Sequence, residues 1–180
     1  EDLAGTNPGM SKMVRVCIDP WEATIWPVRI SHASFEKGAS LRLCFECGPG
    51  TDFSELEIDS LRIHIQGDWM TTMPLYDLLV SDVVRATLKP AGGMERTLPD
   101  GAWSEVGYDE GQNVLPLPQQ AQPAYGMMQE YFCFPRKFHF FDLRHVRAFA
   151  GACKKFEISL TFDQPARGLS VVSADNFRLG

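Results

Sequence analysis

Apolar and polar residues alternate along most of this chain. Leu41, Leu43 and Phe45 interleave with Arg42, Cys44 and Glu46. Leu61, Ile63 and Ile65 interleave with Arg62, His64 and Gln66. Phe156, Ile158, Leu160 and Phe162 interleave with Lys155, Glu157, Ser159 and Thr161. A period of two sends successive side chains to opposite faces, so each stretch predicts a strand buried on one side. Val14, Val16 and Ile18 show the same pattern until Pro20 interrupts it. Residues 25–30 (IWPVRI) predict a second short extended piece, with Pro27 marking an edge or bulge. GPGTD at 48–52 and Gly67-Asp68 are turn signals. Val171-Val172 and the stretch from Phe177 to Leu179 predict a last pair of strands.

The period changes over 72–89. Leu75, Leu78, Leu79, Asp82, Val83 and Ala86 fall at helical spacing, and Val80 and Val84 widen the apolar face. Thr71 or Thr72 suits the N-cap, Pro74 the first turn, and Pro90 with Gly92-Gly93 the end. A shorter helix is predicted over 124–134. Pro123 lies near its start, and Pro135 forces its end, because the residue before a proline is biased to extended backbone. Tyr125, Met128, Tyr131 and Phe132 share one face of it. After Pro135 a strand is expected, with Phe138 and Phe140 on one side and His139, Phe141 and Leu143 on the other, covered on both faces. Residues 94–120 hold turn signals around short extended pieces, and LPLPQQAQP (115–123) reads as an extended strap. The sum is an α+β fold: an antiparallel β-sandwich-like core carrying one longer helix (72–89) and one short helix (124–134). A single domain is expected over 13–180, after a flexible Gly- and Pro-containing leader at 1–12.

Composition narrows the function. The chain has 180 residues, 44% hydrophobic and 22% charged, which is ordinary for a globular domain. No apolar run approaches the roughly 20 residues that span a bilayer, and no signal peptide is visible at the start. The chain begins at Glu1, which predicts a processed chain or a fragment. A net charge of −6 argues against nucleic acid, whose affinity rests on Lys and Arg neutralising phosphates.

Candidate chemistry is sparse. Five cysteines do not suggest a disulfide framework. Cys44 and Cys47 form a lone CxxC without the second ligand pair of a structural zinc site; they read as packing thiols in a reducing compartment. His32, His64, His139 and His145 show no metal-binding spacing. No Gly-rich phosphate loop or GxSxG elbow occurs. Asp109-Glu110 reads as a solvated loop pair, and Asp142 as a structural acceptor rather than a base. Trp21, Trp26, Trp69 and Trp103 read as core or loop anchors, with a carbohydrate platform on a β-sandwich module as the alternative. No catalytic residue, metal or cofactor is expected.

The densest stretch is EYFCFPRKFHFFDL (130–143), where six of fourteen positions are aromatic. Each ring removes about 150–250 Å² from water when buried, so the rings are expected to fill the joint between the short helix and the sheet, with two of them at most left for a protein interface. The stretch also resembles the pattern "EYFAFPEKFLFFDL" of the TssF family (ImpG/VasA), subunits of the type VI secretion baseplate. Glu130, Tyr131, Phe132, Phe134, Pro135, Lys137, Phe138, Phe140, Phe141, Asp142 and Leu143 match it; Cys133, Arg136 and His139 depart. IWPVRISHASF (25–35) is similar to the family's "LWPVEVTAASL". VGYDEGQNVLPLP (106–118) is similar to "VGFAEDEALLPYP". LRIHIQGD (61–68) followed by LYDLLVSDV (75–83) resembles its strand–helix unit. The likeness runs from about Cys17 to Leu179, in a family whose members are much longer, so this chain resembles an internal piece. The resemblance implies a non-catalytic wedge component with a scaffold or interface role for the motif. It implies contacts with TssG, a second TssF copy, TssK, TssE and the spike, on the cytoplasmic side of the bacterial inner membrane without insertion into it.

Overall fold

The computed structural model describes residues 14–18, 21–36, 39–109, 111–116, 122–165, 169 and 172–180. The expected leader 1–12, Pro20, Glu110, Val171 and most of the strap at 115–123 lie outside the described residues.

Alternation of apolar residues produces the strands β1 (Val14–Ile18), β2 (Trp21–Ile25), β3 (Val28–Glu36), β4 (Ser40–Cys47) and β5 (Ser60–Ile65). Helix α1 (Trp69–Ser81) leads into β6 (Val83–Pro90) and the short strands β7 (Arg96–Thr97) and β8 (Trp103–Glu105). Helix α2 (Pro123–Cys133) is followed by a 3-10 turn over Pro135–His139, β9 (Phe140–Arg144), α3 (Val146–Ala150) and β10 (Lys155–Phe162). A second 3-10 turn (Ala174–Asn176) precedes β11 (Phe177–Leu179).

The strands form a hairpin of β1 and β2, a five-stranded sheet in the order β3-β4-β10-β6-β7, and a four-stranded sheet in the order β11-β5-β9-β8. Every pairing is antiparallel. The inward residues of both larger sheets meet in one apolar core: Leu41, Leu43, Phe45, Ile158 and Leu160 from one, Leu61, Ile63, Ile65, Phe141 and Phe177 from the other. Leu75, Leu78 and Leu79 of α1 join the same cluster. The architecture is therefore α+β with a sandwich-like antiparallel core.

Several boundaries differ from the expected ones. The longer helix spans Trp69–Ser81 rather than 72–89, and its second half is strand β6, hydrogen-bonded between β10 and β7. Val83, Val84 and Thr87 are β-branched and fit a pleated sheet better than a helix. Val80 and Val84 are exposed and do not widen the helix's buried face. Asp68, not Thr71 or Thr72, is the N-cap, and its carboxylate accepts from the Thr71 amide at 2.8 Å. Pro74 consequently falls in the second turn. After Pro135 the chain makes a 3-10 turn before it becomes a strand, so Phe138 and Phe140 do not share a strand face. Val172 is buried outside any strand, while Phe177–Leu179 pairs with β5.

Candidate functional site

The aromatic motif runs through three consecutive elements: the last turn of α2, the 3-10 turn and the start of β9. This divides its rings into two groups. Phe138 and Phe141 are buried and Phe140 is half-buried, in line with the expected core role. Tyr131, Phe132 and Phe134 are 56%, 76% and 47% exposed. The expectation that most of the rings are core is thus corrected for these three. Helix α2 docks through Gly126 and Glu130, and its Tyr125, Met128, Tyr131 and Phe132 face outward.

Glu130 explains how a helix so apolar outside stays attached. Its side chain is fully buried. One carboxylate oxygen accepts from the backbone amides of Val114 and Leu115, at 2.6 and 2.7 Å. The other pairs with the Lys137 ammonium. A buried carboxylate is tolerated only when its lone pairs are met in this way. Burial by itself pushes the Glu130 carboxyl up, but the Lys137 ammonium and the Leu115 and Val114 amides outweigh it and hold the group below its ordinary value. Glu130 therefore joins α2, the preceding loop and the 3-10 turn. The turn is also fixed by its backbone: the Phe134 amide donates to Glu130 and the Lys137 amide to Phe134, at 2.7 and 2.9 Å. Pro135 opens the 3-10 turn, where a missing N–H is harmless.

Below the turn, Phe138 packs between Tyr108 and Tyr131, with ring centroids 5.0 and 5.9 Å away. Gly107 has φ +112°, and a Cβ there would lie 3.2 Å from the Phe138 ring, so close approach and backbone conformation both require glycine. Phe141 lies parallel to Trp103 at 5.0 Å, and the Trp103 indole N–H donates to the Leu79 carbonyl at 3.2 Å. Asp142 is buried on the other face of β9 and accepts two hydrogen bonds from Arg62, at 2.8 and 2.9 Å. This planar fork ties β9 to β5 and leaves Asp142 a structural partner, not a free base.

The motif's 3-10 turn forms a ridge between two clefts. On one side lies an apolar cleft of about 890 Å³, lined by Tyr108, Met127, Met128, Tyr131, Phe132 and Phe138 among others. On the other lies a more polar cleft of about 490 Å³, lined by His64, Gln66, Trp69, Pro135, Arg136, His139 and Asp175 among others. The His64 and His139 rings stack with centroids 6.3 Å apart. Burial lowers the pKa of both imidazoles; for His64 the facing His139 and then Arg136 add to this, and for His139 Arg136 does. Trp69 is 66% exposed at the start of α1, which corrects its reading as an anchor. Tyr108, Met127 and His64 were not singled out as site residues from the sequence. They lie far from the motif along the chain or face the apolar cleft from a turn that ordinary helical spacing does not mark.

The CxxC pair is not a metal or disulfide site. Cys44 and Cys47 are three apart on β4, so their Cα atoms lie about 10 Å apart and their side chains leave opposite faces, too far for one metal or a disulfide. Burial pushes the Cys47 thiol up to about 12, the behaviour of a packing thiol rather than a reactive one. Among the described residues no three His, Cys, Asp or Glu side chains are grouped to hold a metal ion.

The geometry is a two-sheet core presenting an aromatic surface with Met127 and Met128 beside it. Comparison with known proteins places it. The family model "Type VI secretion system, TssF" matches residues 20–180, and the chain belongs to that family. It is similar to the type VI secretion system component TssF1 of Pseudomonas aeruginosa, at 23% identity over 76% of this chain and 25% of that protein. It is also similar to a chain in a solved TssK-TssF-TssG baseplate subcomplex, with a TM-score of 0.71 and 22% identity over 87% of this chain. That likeness confirms the fold. The chain spans about a quarter to a third of the length of these relatives.

Proposed function

We propose that this chain is a non-catalytic structural segment of a type VI secretion baseplate subunit. Its work is to hold partner surfaces in place rather than to turn over a substrate. The observation that carries the reading is the exposed half of the motif. Phe132 is 76% exposed, with Tyr131, Met128 and Tyr125 beside it on one helix face. Monomeric proteins seldom leave contiguous apolar surface of this kind uncovered. Family membership supports the same reading, as does the fold likeness to a chain solved in complex with TssK and TssG. TssG- and TssK-type subunits are thus the first partners to test. Contacts with a second copy, TssE and spike proteins belong to the same reading and are supported by the motif's resemblance alone. The position proposed is a baseplate at the cytoplasmic face of the inner membrane. Among the described residues no helix is long and apolar enough to cross a membrane. We propose that Glu130, Lys137, Phe138, Phe140, Phe141, Pro135 and Asp142 scaffold this surface, and that Tyr131, Phe132 and Phe134 form it.

The test is co-expression with the TssG- and TssK-type subunits of the same organism, followed by size exclusion with light scattering. A stable complex of defined stoichiometry is expected. Monomeric elution of this chain in every combination, with the partners complexed to each other, would count against the reading.

A further inference from the structure

The two clefts flanking the motif differ in chemistry, and together they specify what covers them. The apolar cleft offers the Met128, Tyr131 and Phe132 side chains around a floor made by the buried Phe138. Across the 3-10 turn, Pro135 and Arg136 are exposed at the rim of the second cleft. Among the described residues no carboxylate lies within ion-pair distance of the Arg136 guanidinium, whereas the neighbouring Lys137 is consumed by the buried Glu130. His64 and His139 line the same cleft beside Arg136. Asp175 also lines it, but its carboxylate forms no ion pair with Arg136. The ridge is therefore a locally basic point beside an apolar trough, on a chain whose net charge is −6.

Charge complementarity selects the occupant. A second copy of this chain would bring one net-acidic body against another and, in a twofold arrangement about the ridge, Arg136 toward Arg136. A nucleic acid is opposed by the overall acidity. A polypeptide that carries large apolar side chains and, a few residues away, a carboxylate satisfies both clefts at once. The apolar side chains cover Phe132 and fill the trough, and the carboxylate accepts from the planar fork of Arg136.

We propose that the motif's 3-10 turn is a two-part docking ridge for an acidic, apolar segment of a different baseplate subunit. This rests on the baseplate reading above and adds which surface is used and what chemistry covers it. The experiment is designed to separate the two. The photo-crosslinking amino acid p-benzoylphenylalanine replaces Phe132 in this chain, co-expressed with the TssG- and TssK-type subunits, and the crosslinked peptide is identified by mass spectrometry. Placement at Val84, an exposed position on β6, serves as the control. The expected product joins Phe132's position to an apolar stretch of another subunit with Asp or Glu within a few residues. Arg136→Glu is expected to weaken the complex about tenfold, in the range of a close interfacial charge pair, and exchange of the partner's acid for lysine to restore it. A complex that forms with its crosslink at 132 going to a second copy, to a basic segment or to nothing would overturn the docking ridge and leave the baseplate reading standing. So would an Arg136→Glu variant that binds as the parent does. Failure of any complex to form would remove both.

Discussion

Within the motif, neighbouring aromatic residues have opposite jobs, and substitution should separate them. Phe141 is fully buried between Trp103 and Tyr76 in the shared core. Phe141→Ala is expected to destabilise the protein by about 3–5 kcal/mol, the usual range for removing a core ring. Phe132→Ala, by contrast, should change stability by no more than about 0.5 kcal/mol, because it leaves no cavity. Urea unfolding of the two variants checks this; similar midpoints would refute the division of the rings. Glu130 gives a pH-dependent counterpart. Its carboxyl is held below its ordinary value in the folded chain, so its contribution is present above the unfolded value, about 4.3, and is lost as pH falls through the folded one. Glu130→Gln should therefore be less stable than the parent at pH 7, and the gap should close as the medium is acidified through that window. A gap independent of pH would mean that shape, not charge, holds the loop. At this scale the sequence was half legible. Ring density announced a special site, but exposure depends on which residues of α2 touch the core. Small Gly126 and charged Glu130 do so, and no hydrophobicity pattern marks them.

Elements were more legible than residues wherever one face alone is buried. β4, β5 and β10 follow from strict alternation, and each buries its odd or even set as a strand of period two must. The boundary between α1 and β6 is hidden because only the polar pair Ser81-Asp82, with no glycine or proline, separates their apolar residues. Leu78 and Leu79 belong to the helix and Leu88 to the strand, yet the whole run fits a helical period over much of its length. Sheet pairing on both sides of β6 decided the outcome, which is tertiary context overriding local spacing. The start of α1 is set by Asp68, although the threonines after it also suit the role by residue type. Asp68→Ala should lower stability by about 1 kcal/mol through the lost bond to the Thr71 amide, whereas Thr71→Val should matter less. Thermal unfolding of the two variants tests the cap; the reverse ranking would return the N-cap to Thr71.

At the scale of the molecule, the two larger sheets have no separate cores. Phe45 and Phe156 stack at 4.9 Å in the five-stranded sheet, and Phe141 stacks on Trp103 in the four-stranded one, yet all four rings belong to or pack against a single apolar cluster. Helix α1 packs Leu75, Leu78 and Leu79 into that shared cluster, and the Trp103 indole of β8 bonds the Leu79 carbonyl at its end. A ridge that must hold two clefts at a fixed spacing needs such a foundation: α2 is anchored through Glu130, but β9, which carries the rest of the motif, is a middle strand of the second sheet. We therefore expect the described region to unfold as one cooperative unit. Phe45→Ala, placed in the first sheet, should lower the midpoint seen by Trp fluorescence and by far-ultraviolet circular dichroism equally, although Trp103 lies in the second. Phe141→Ala, in the second sheet, should likewise lower both midpoints equally. If, in a background with Trp21, Trp26 and Trp69 replaced by phenylalanine, Phe45→Ala shifted the dichroism transition while the remaining Trp103 signal kept its midpoint, the sheets would be separable units. The docking surface would then rest on the four-stranded sheet and α1 alone.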